Sequence, residues 1–254
     1  MTALTQLRHQ VNVDLLVFRR NPAAAFFTVV LPLIFLVIFT SIFGNQELEN
    51  GARVATLYVP GILTLAIVSA TTVNLAITMT ARRERGVLKR LRGTPIPART
   101  FILSQAITGV VLSAIMTVVI AAVGRLLYGV SLNLATVPAL IITLLLGAGG
   151  LAALGLALTA VIPSEDAAPA VTNAIMLPLY FISGVFIPEE QVPSWVVSIS
   201  RFFPISHLNK ALQGSFDPFL DGTRWPVQHW LVLLAWGAFG ALIALRFFRW
   251  TPRR

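Results

Sequence analysis

The densest group of ionisable side chains in this 254-residue chain is a basic segment over residues 82–99, with seven Lys or Arg and one acid. Its cations are Arg82, Arg83, Arg85, Lys89, Arg90, Arg92 and Arg99. Val87, Leu88 and Leu91 are spaced to share one helical face, so the segment predicts a short amphipathic helix that Gly93 ends. Such a segment binds rather than catalyses. Either it is a solvated loop whose charges set membrane topology, or it is a surface on which another protein acts.

Catalytic and metal-binding patterns find no support elsewhere in the sequence. Cysteine is absent, and His9, His207 and His229 are scattered, so no metal cluster or Ser/His/Asp arrangement follows from spacing. A G-x-x-x-x-G-K-[ST] phosphate loop is missing, and the two lysines, Lys89 and Lys210, lie in other settings. The sequence therefore predicts that the chain is not an enzyme and binds no nucleotide, cofactor or metal itself.

The composition is that of an integral membrane protein. Hydrophobic residues make up 56% of the chain and charged residues 11%, whereas soluble domains carry about 25% charged residues. Mean hydropathy is +0.82. The net charge of +9 is confined mostly to the segments between apolar runs, which indicates membrane topology and anionic lipid as its cause rather than nucleic acid.

The apolar runs predict a single all-α membrane domain over residues 1–254, with six spans. The predicted spans are 23–43, 57–80, 101–127, 137–162, 167–186 and 230–248. In the fourth span, Gly149, Ala153 and Ala157 form a ridge of small residues that would permit close helix packing. Segment 188–228 contains an apolar stretch of only 11 residues. That is too short to cross, so a re-entrant or interfacial element is expected on the extracellular side.

Charge supports this count of spans. Six spans place both termini, the basic segment and the turn before the fifth span on one side of the membrane. That side carries a net charge of +10, and the other side carries −1. The positive side is expected to be the cytoplasmic one. High Arg and Ala content suggests a bacterial source, and hence the plasma (inner) membrane.

Residues 1–22 predict an amphipathic interface helix that precedes the first span. Leu7, Val11 and Leu15 recur at helical spacing with Leu4 and Phe18, so the helix would lie on the cytoplasmic leaflet. Its polar face would be Arg8, His9, Gln10, Asp14 and Arg19. It could be a lone anchor or act together with the basic segment.

The second span is unusually polar. Its hydroxyl and amide residues are Ser69, Thr71, Thr72, Asn74 and Thr78. They could bond to other helices or line a pathway. Asp, Glu and His are absent from all six apolar runs, which argues against a proton- or ion-coupled transporter.

The stretch ERGVLKRLRGTP at residues 84–95 and the motifs between residues 183 and 205 resemble those of the ABC-2 type permeases, the membrane subunits of ATP-binding-cassette exporters of the daunorubicin-resistance and nodulation types. Residues 84–95, ERGVLKRLRGTP, are similar to the family's coupling segment, although Val87 stands where the family often has Thr. The second stretch is SGVFIP at 183–188, followed by VPSW at 192–195 and FPI at 203–205. The resemblance extends over essentially the whole chain.

This resemblance implies a homodimer, or a heterodimer with a sister permease, bound to two cytoplasmic ABC ATPase subunits that hold ATP and Mg. Residues 82–93 would be the coupling helix and residues 1–22 the gate-linked interface helix. The residues implied in coupling are Arg82, Arg83, Glu84, Arg85, Leu88 and Leu91. Leu88 and Leu91 would pack against the ATPase, and Glu84 and Arg85 would orient it by ion pairing. Asn74, Thr78, Asn173 and Phe181 are expected to belong to the substrate path.

The function expected from the resemblance is export of a hydrophobic or amphipathic solute such as a drug, antibiotic or lipid. A lipid-linked glycan is an alternative substrate. A membrane scaffold or sensor, whose basic segment recruits a partner or lipid without transport, is the alternative from another class.

Overall fold

A computed structural model describes residues 3–43, 46, 54–91, 93, 97–187, 191–216 and 225–251. Most of these residues are helical, and no strand occurs among them. Helix α1 is Ala3–Arg19. Helix α2 comprises Pro22–Ala25, a π-helical turn Phe26–Val30, and Leu31–Phe43. Helix α3 likewise comprises Val54–Val68, a π-helical turn Ser69–Val73, and Asn74–Glu84. The later helices are α4 Val87–Leu91, α5 Ala98–Tyr128, α6 Val137–Leu158, α7 Ala167–Ile182, α8 Ser194–Ser200, α9 Pro204–Phe216 and α10 Val227–Phe247.

Local sequence explains several helix ends. Asn21 caps α2, because its Oδ1 accepts a hydrogen bond from the Ala24 amide at 3.1 Å, and Pro22 occupies the first turn. Gly129 ends α5 in the left-handed conformation, with φ of 69°. Gly184, with φ of 73°, follows α7 in the same way.

Five of the described helices are long and apolar enough to cross a membrane: α2, α3, α5, α6 and α10. The predicted fifth span, 167–186, is helical only over the 16 residues of α7. Sixteen residues extend about 24 Å, less than the hydrocarbon thickness of about 30 Å. The count of six spans therefore stays a prediction, whereas the all-helical membrane architecture is confirmed.

Helix α3 is the centre of the bundle, since almost all of its residues between Ala55 and Thr72 are buried. Helix α6 packs between α3 and α10, and glycines allow both approaches. A Cβ at Gly155 would lie 2.8 Å from the Thr72 carbonyl oxygen of α3. A Cβ at Gly237 of α10 would lie 2.9 Å from the Cα of Gly150.

The contact ridge of α6 differs from the predicted one. Gly149 has open space where a Cβ would be, whereas Gly150 contacts α10 directly. One residue further along a helix turns the side chain by about 100°. The sequence located the small-residue region, but its rotation depends on where α10 lies.

These two neighbouring glycines give a matched test of the α6–α10 contact. Gly150→Leu should lower the unfolding free energy by about 1–3 kcal/mol, because the added side chain must displace the backbone of α10. Gly149→Ala should be neutral or stabilising by up to about 1 kcal/mol. Thermal unfolding of the purified protein in detergent measures both. Equal effects of the two changes would contradict the assigned contact.

Helix α9 lies inside the bundle. Ile205, Leu208, Leu212 and Phe216 are almost fully buried. The turn before α9 lies level with the middle of α10, because Trp236 Nε1 donates to the Phe202 carbonyl at 2.8 Å. The helix ends beside the start of α6, where Thr136 Oγ1 donates to the Ser215 carbonyl at 3.2 Å.

The buried position of α9 agrees with the predicted re-entrant element. How deep this element lies in the membrane stays a prediction. Asn209 of α9 is 1% exposed, and its Nδ2 donates to the carbonyls of Ser183 at 3.2 Å and Gly184 at 2.8 Å. Asn209 thus donates hydrogen bonds to backbone carbonyls that have no helical partner where α7 ends. Residues 188–190 and 217–224 of the predicted segment 188–228 lie outside the described residues.

Candidate functional site

The basic segment forms a sharp bend between α3 and α4, which we call the elbow (residues 82–91). Gly86 adopts a φ of 70°. Its amide donates to the Arg83 carbonyl at 3.0 Å and its carbonyl accepts from the Arg90 amide at 3.2 Å, so one residue ends α3 and starts α4.

The single coupling helix predicted over 82–93 is therefore wrong in its bounds. Arg82, Arg83 and Glu84 form the last turn of α3, and α4 contains only Val87–Leu91. Gly93 is described as a turn, and Arg92 lies outside the described residues. The apolar spacing identified α4, but the left-handed Gly86 separates it from the preceding arginines.

Arg83 joins the elbow to the end of α6. The residue is 1% exposed. Its Nη1 donates to the Thr159 carbonyl at 2.8 Å and its Nη2 to the Ile162 carbonyl at 2.9 Å. Its Nε donates to Glu84 Oε1 at 2.7 Å. Carbonyls at a helix C-terminus lack helical donors and favour a cation, which the guanidinium provides.

Arg82 joins the elbow to α1. Its Nη2 lies 2.9 Å from Asp14 Oδ1, and the side chains are 16% and 3% exposed respectively. The other oxygen of Asp14 accepts hydrogen bonds from Ser104 Oγ at 3.0 Å and from Gln105 Nε2, both on α5. The guanidinium also lies 5.6 Å from the centre of the Phe101 ring. One buried carboxylate thus links α1, α3 and α5.

This network shows that the predicted polar face of α1 is wrong at Asp14. Asp14 faces α5 instead of water, and it shares that side of the helix with Leu7, Val11 and Phe18, which are half-buried. Leu15 is also half-buried, whereas Leu4 is 76% exposed. Because 7, 11, 14 and 18 follow helical spacing, the sequence did carry a signal for the placement of Asp14.

We expect Asp14 and Arg82 to stabilise the protein as a unit. Asp14→Ala and Arg82→Ala each leave the other charge unpaired, so the double variant should be less destabilised than the sum by about 0.5–3 kcal/mol. Arg8→Ala, at an exposed position of α1, is the control and should have no effect. Unfolding free energies in detergent test this expectation, and strict additivity would contradict the pairing.

Arg85 joins the elbow to the turn before α7. Its Nε donates to Glu165 Oε2 at 3.0 Å, and its Nη2 bonds to Glu165 Oε1. The hydrogen bond to Glu165 and that residue's charge raise the pKa of Arg85. Arg85 is exposed, so the pair contributes little to stability. Glu84 and Arg85, predicted to orient a partner, both form ion pairs within the chain.

Leu88 points into the protein. It is fully buried in a cluster built from four other helices. The other buried members are Leu75, Met79, Phe101, Ala152, Leu156 and Ala244. Leu91 is half-buried and packs at the edge of this cluster.

The predicted packing of Leu88 against a separate subunit is therefore wrong, because its own core covers the side chain. The exposed residues of α4 are Val87, Lys89 and Arg90, and we call these three the α4 surface. A contact with another protein at α4 would use this surface together with the accessible part of Leu91. The elbow thus combines a short exposed helix with fixed connections to α1, α5, α6, α10 and the turn before α7.

Within one chain, the residues predicted to line a substrate path lie in separate places, and their role in a path stays a prediction. Thr78 Oγ1 lies 3.3 Å from Asn74 Oδ1, and both residues line a cavity of about 40 Å³ with Asp14 and Arg82. Asn173 is exposed on α7. Phe181 is 51% exposed, and its ring lies 5.2 Å from that of Phe186.

Other polar residues of α3 serve its own packing. Thr72 Oγ1 donates to the Leu151 carbonyl of α6 at 2.9 Å. Thr71 Oγ1 donates to the Ile67 carbonyl one turn earlier at 2.6 Å. Thr72 thus bonds to another helix, as one interpretation of the sequence predicted, whereas the Thr71 hydroxyl bonds within α3.

An aromatic cluster that sequence analysis missed connects α2, α3 and α7. The Phe186 ring lies 5.4 Å from Phe35, 5.8 Å from Phe39 and 5.9 Å from Tyr180, measured between centres. Phe39 in turn stacks on Tyr58 of α3 at 5.6 Å. Spacing along the chain gives no signal for such a cluster, because its members come from segments far apart in sequence.

Comparison with known proteins adds a family match. The sequence profile described as "ABC-2 type transporter" matches residues 5–216. The chain is 28% identical over 204 residues to the daunorubicin resistance ABC transporter permease protein DrrB1 of Streptomyces coeruleorubidus, covering 76% of this chain and 68% of that protein.

Two further relatives carry the name "Putative transport permease". The protein ycf38 of Porphyra purpurea is 27% identical over 238 residues, covering 90% of this chain and 79% of ycf38. YvfS of Bacillus subtilis (strain 168) is 23% identical over 188 residues, covering 74% of this chain and 76% of YvfS.

Proposed function

Because this chain belongs to the ABC-2 type transporter family, we propose that it is the permease subunit of an ABC exporter. In this proposal it moves a hydrophobic or amphipathic solute, such as a drug, antibiotic or lipid, out of the cytoplasm. ATP and Mg are bound by a separate ATPase subunit. The drug-resistance name of one relative supports the choice of solute class.

The observation that carries the proposal is the construction of the elbow. Its α4 surface is exposed and bears Lys89 and Arg90, while Leu88 and three arginines fix the bend to its neighbours. A force applied to α4 is therefore passed to several helices at once. This is the arrangement expected of an element that couples a cytoplasmic ATPase to membrane helices.

The proposed assembly contains two copies of the ATPase and two permeases, either identical or sisters. The elbow and both termini lie on the cytoplasmic side of a bacterial plasma membrane. ATP binding would draw the two α4 surfaces together. Arg82 and Asp14 would move α1 with the elbow, and the aromatic cluster would move α2, α3 and α7 as a group. Transport is then a population shift between inward-closed and outward-open states, driven by the ATPase's different affinity for each.

Asn74, Thr78, Asn173 and Phe181 stay proposed contributors to the substrate path. Alanine at all four positions should change the rate of transport or the range of solutes carried, while the protein still inserts and binds its ATPase. Transport assays across a panel of solutes measure this change. Unchanged rates and an unchanged range would remove these residues from the path.

The test of function is nucleotide-dependent flux. Inside-out vesicles that contain this chain with its ATPase should accumulate an amphipathic dye or daunorubicin only with ATP, and vanadate should stop the uptake. A complex that binds its ATPase but shows no flux of drugs, lipids or lipid-linked glycans would favour the scaffold or sensor alternative. Flux of a lipid-linked glycan alone would contradict the proposed solute class but support the exporter function.

A further inference from the structure

A groove with a volume of about 560 Å³ runs along the bundle between α6, α7 and α10. Its walls are almost wholly apolar, with Leu154, Ala157, Met176, Phe239 and Ile243 among them. The volume lies within the range of about 300–1,000 Å³ seen for small-molecule sites. The residues proposed for coupling and for the substrate path do not line it.

We propose that this groove binds one acyl chain of an anionic membrane phospholipid, whose headgroup is held by Arg249. The proposal concerns a lipid that stays bound to the permease, and it does not depend on transport.

The two ends of the groove differ in polarity. Arg249 and Phe247 line one end together with Ala160 and Val161. This is the elbow end of the bundle, because Arg83 bonds to the carbonyls of Thr159 and Ile162 on either side of that pair. Phe203, Pro204 and Trp236 line the opposite end.

The opposite end is suited to the tip of a hydrocarbon chain. The one polar group of Trp236, its indole N–H, already donates to the Phe202 carbonyl at 2.8 Å. No donor of that side chain is left for a headgroup. A ligand with one charged end therefore has a single favourable direction in the groove, with its charge at Arg249.

The length of the groove matches one lipid leaflet. From Trp236 to Phe247 along α10 the rise is about 16 Å. Half of a hydrocarbon core of about 30 Å is about 15 Å. An acyl chain whose headgroup lies at the elbow end would thus reach the turn that precedes α9.

Charge favours an anionic headgroup. Arg249 is exposed, and within the described part of the chain no carboxylate forms an ion pair with it. Arginine binds phosphate oxygens strongly, and basic pockets between membrane helices are typical sites for anionic headgroups. A wholly apolar occupant would gain nothing from this cation.

Brominated acyl chains quench nearby tryptophan fluorescence, and Trp236 places a reporter in the groove. We would titrate the purified full-length protein in detergent with phosphatidylglycerol carrying brominated chains, and with phosphatidylcholine carrying the same chains. The contribution of Trp236 is the difference from Trp236→Phe. We expect saturable quenching, with phosphatidylglycerol binding at least five times more tightly.

Arg249→Gln should abolish the preference for phosphatidylglycerol. Arg246→Gln is the matched control, since Arg246 lies near the same end of α10 but packs over the Phe247 ring at 5.9 Å and does not line the groove. It should keep the preference. Ala157→Phe should fill the groove and prevent saturable quenching by either lipid, and Ile243→Phe, which adds no tryptophan, serves the same purpose if that variant does not fold.

Quenching that never saturates would overturn the site. Equal binding of both lipids, or an unchanged preference in Arg249→Gln, would overturn the role of the headgroup. Saturable quenching by a brominated neutral solute but not by phosphatidylglycerol would assign the groove to another occupant and overturn the proposal.

Discussion

Replacement of Arg83 by leucine should lower the free energy of unfolding by about 2–5 kcal/mol, one of the two largest effects expected in this chain. The change removes the donors that satisfy the carbonyls of Thr159 and Ile162 in a site closed to water. The end of α6 would lose its connection to α3. Thermal unfolding in detergent, together with the amount of monodisperse protein recovered, measures the loss.

Arg85→Gln is the matched control, because Arg85 belongs to the same bend but is exposed. Its removal breaks only the surface pair with Glu165. We expect an unchanged unfolding temperature. If both changes lowered it equally, the stabilising role would belong to the positive charge of the bend as a whole rather than to the buried contacts of Arg83.

Leu88→Glu should have an effect of similar size, since it places a carboxylate where Leu88 is fully buried among apolar side chains. We expect the elbow to unfold locally, with a loss of several kcal/mol in stability. Val87→Glu is the control on the same helix. Val87 is 37% exposed, so its replacement should leave the fold intact.

This prediction for Leu88→Glu replaces the expectation from sequence that Leu88 packs against the ATPase. With Leu88 buried, a loss of coupling in that variant would not distinguish a lost partner contact from an unfolded elbow. Limited proteolysis at the elbow in Leu88→Glu and Val87→Glu decides between them. Equal resistance of the two variants would contradict the buried position of Leu88.

The sequence predicted the helices well because long apolar runs leave few alternatives in a membrane. It also predicted the family, which the profile match confirms. It found α4 from three apolar residues, but spacing alone cannot show whether an apolar face packs on a partner or on the chain's own core. Only the position of α4 beside α3, α5, α6 and α10 shows that Leu88 faces inward.

Long-range pairs were the other limit. Asp14 lies 68 residues from Arg82 and 90 from Ser104. Helical spacing could have placed it on the apolar face of α1, but nothing local identifies these partners. The carbonyls of Ser183 and Gly184, where α7 ends, likewise accept hydrogen bonds from Asn209, which lies 26 and 25 residues later in the chain. The prediction that another protein acts on the basic segment stays a prediction, and the ion pairs of this segment within the chain could not be derived from charge counts.

The central claim is that an ATPase acts on the α4 surface. The most direct test is to purify the tagged chain from its native membrane in mild detergent and measure the ATPase and the vanadate-sensitive hydrolysis that accompany it. The double variant with Lys89→Glu and Arg90→Glu should fold normally. Both the amount of ATPase that co-purifies with it and the vanadate-sensitive hydrolysis should fall by at least tenfold. Arg99→Glu, an exposed charge on the neighbouring α5, should retain them. Full retention by the double variant, or no ATPase with the unaltered chain, would contradict the claim.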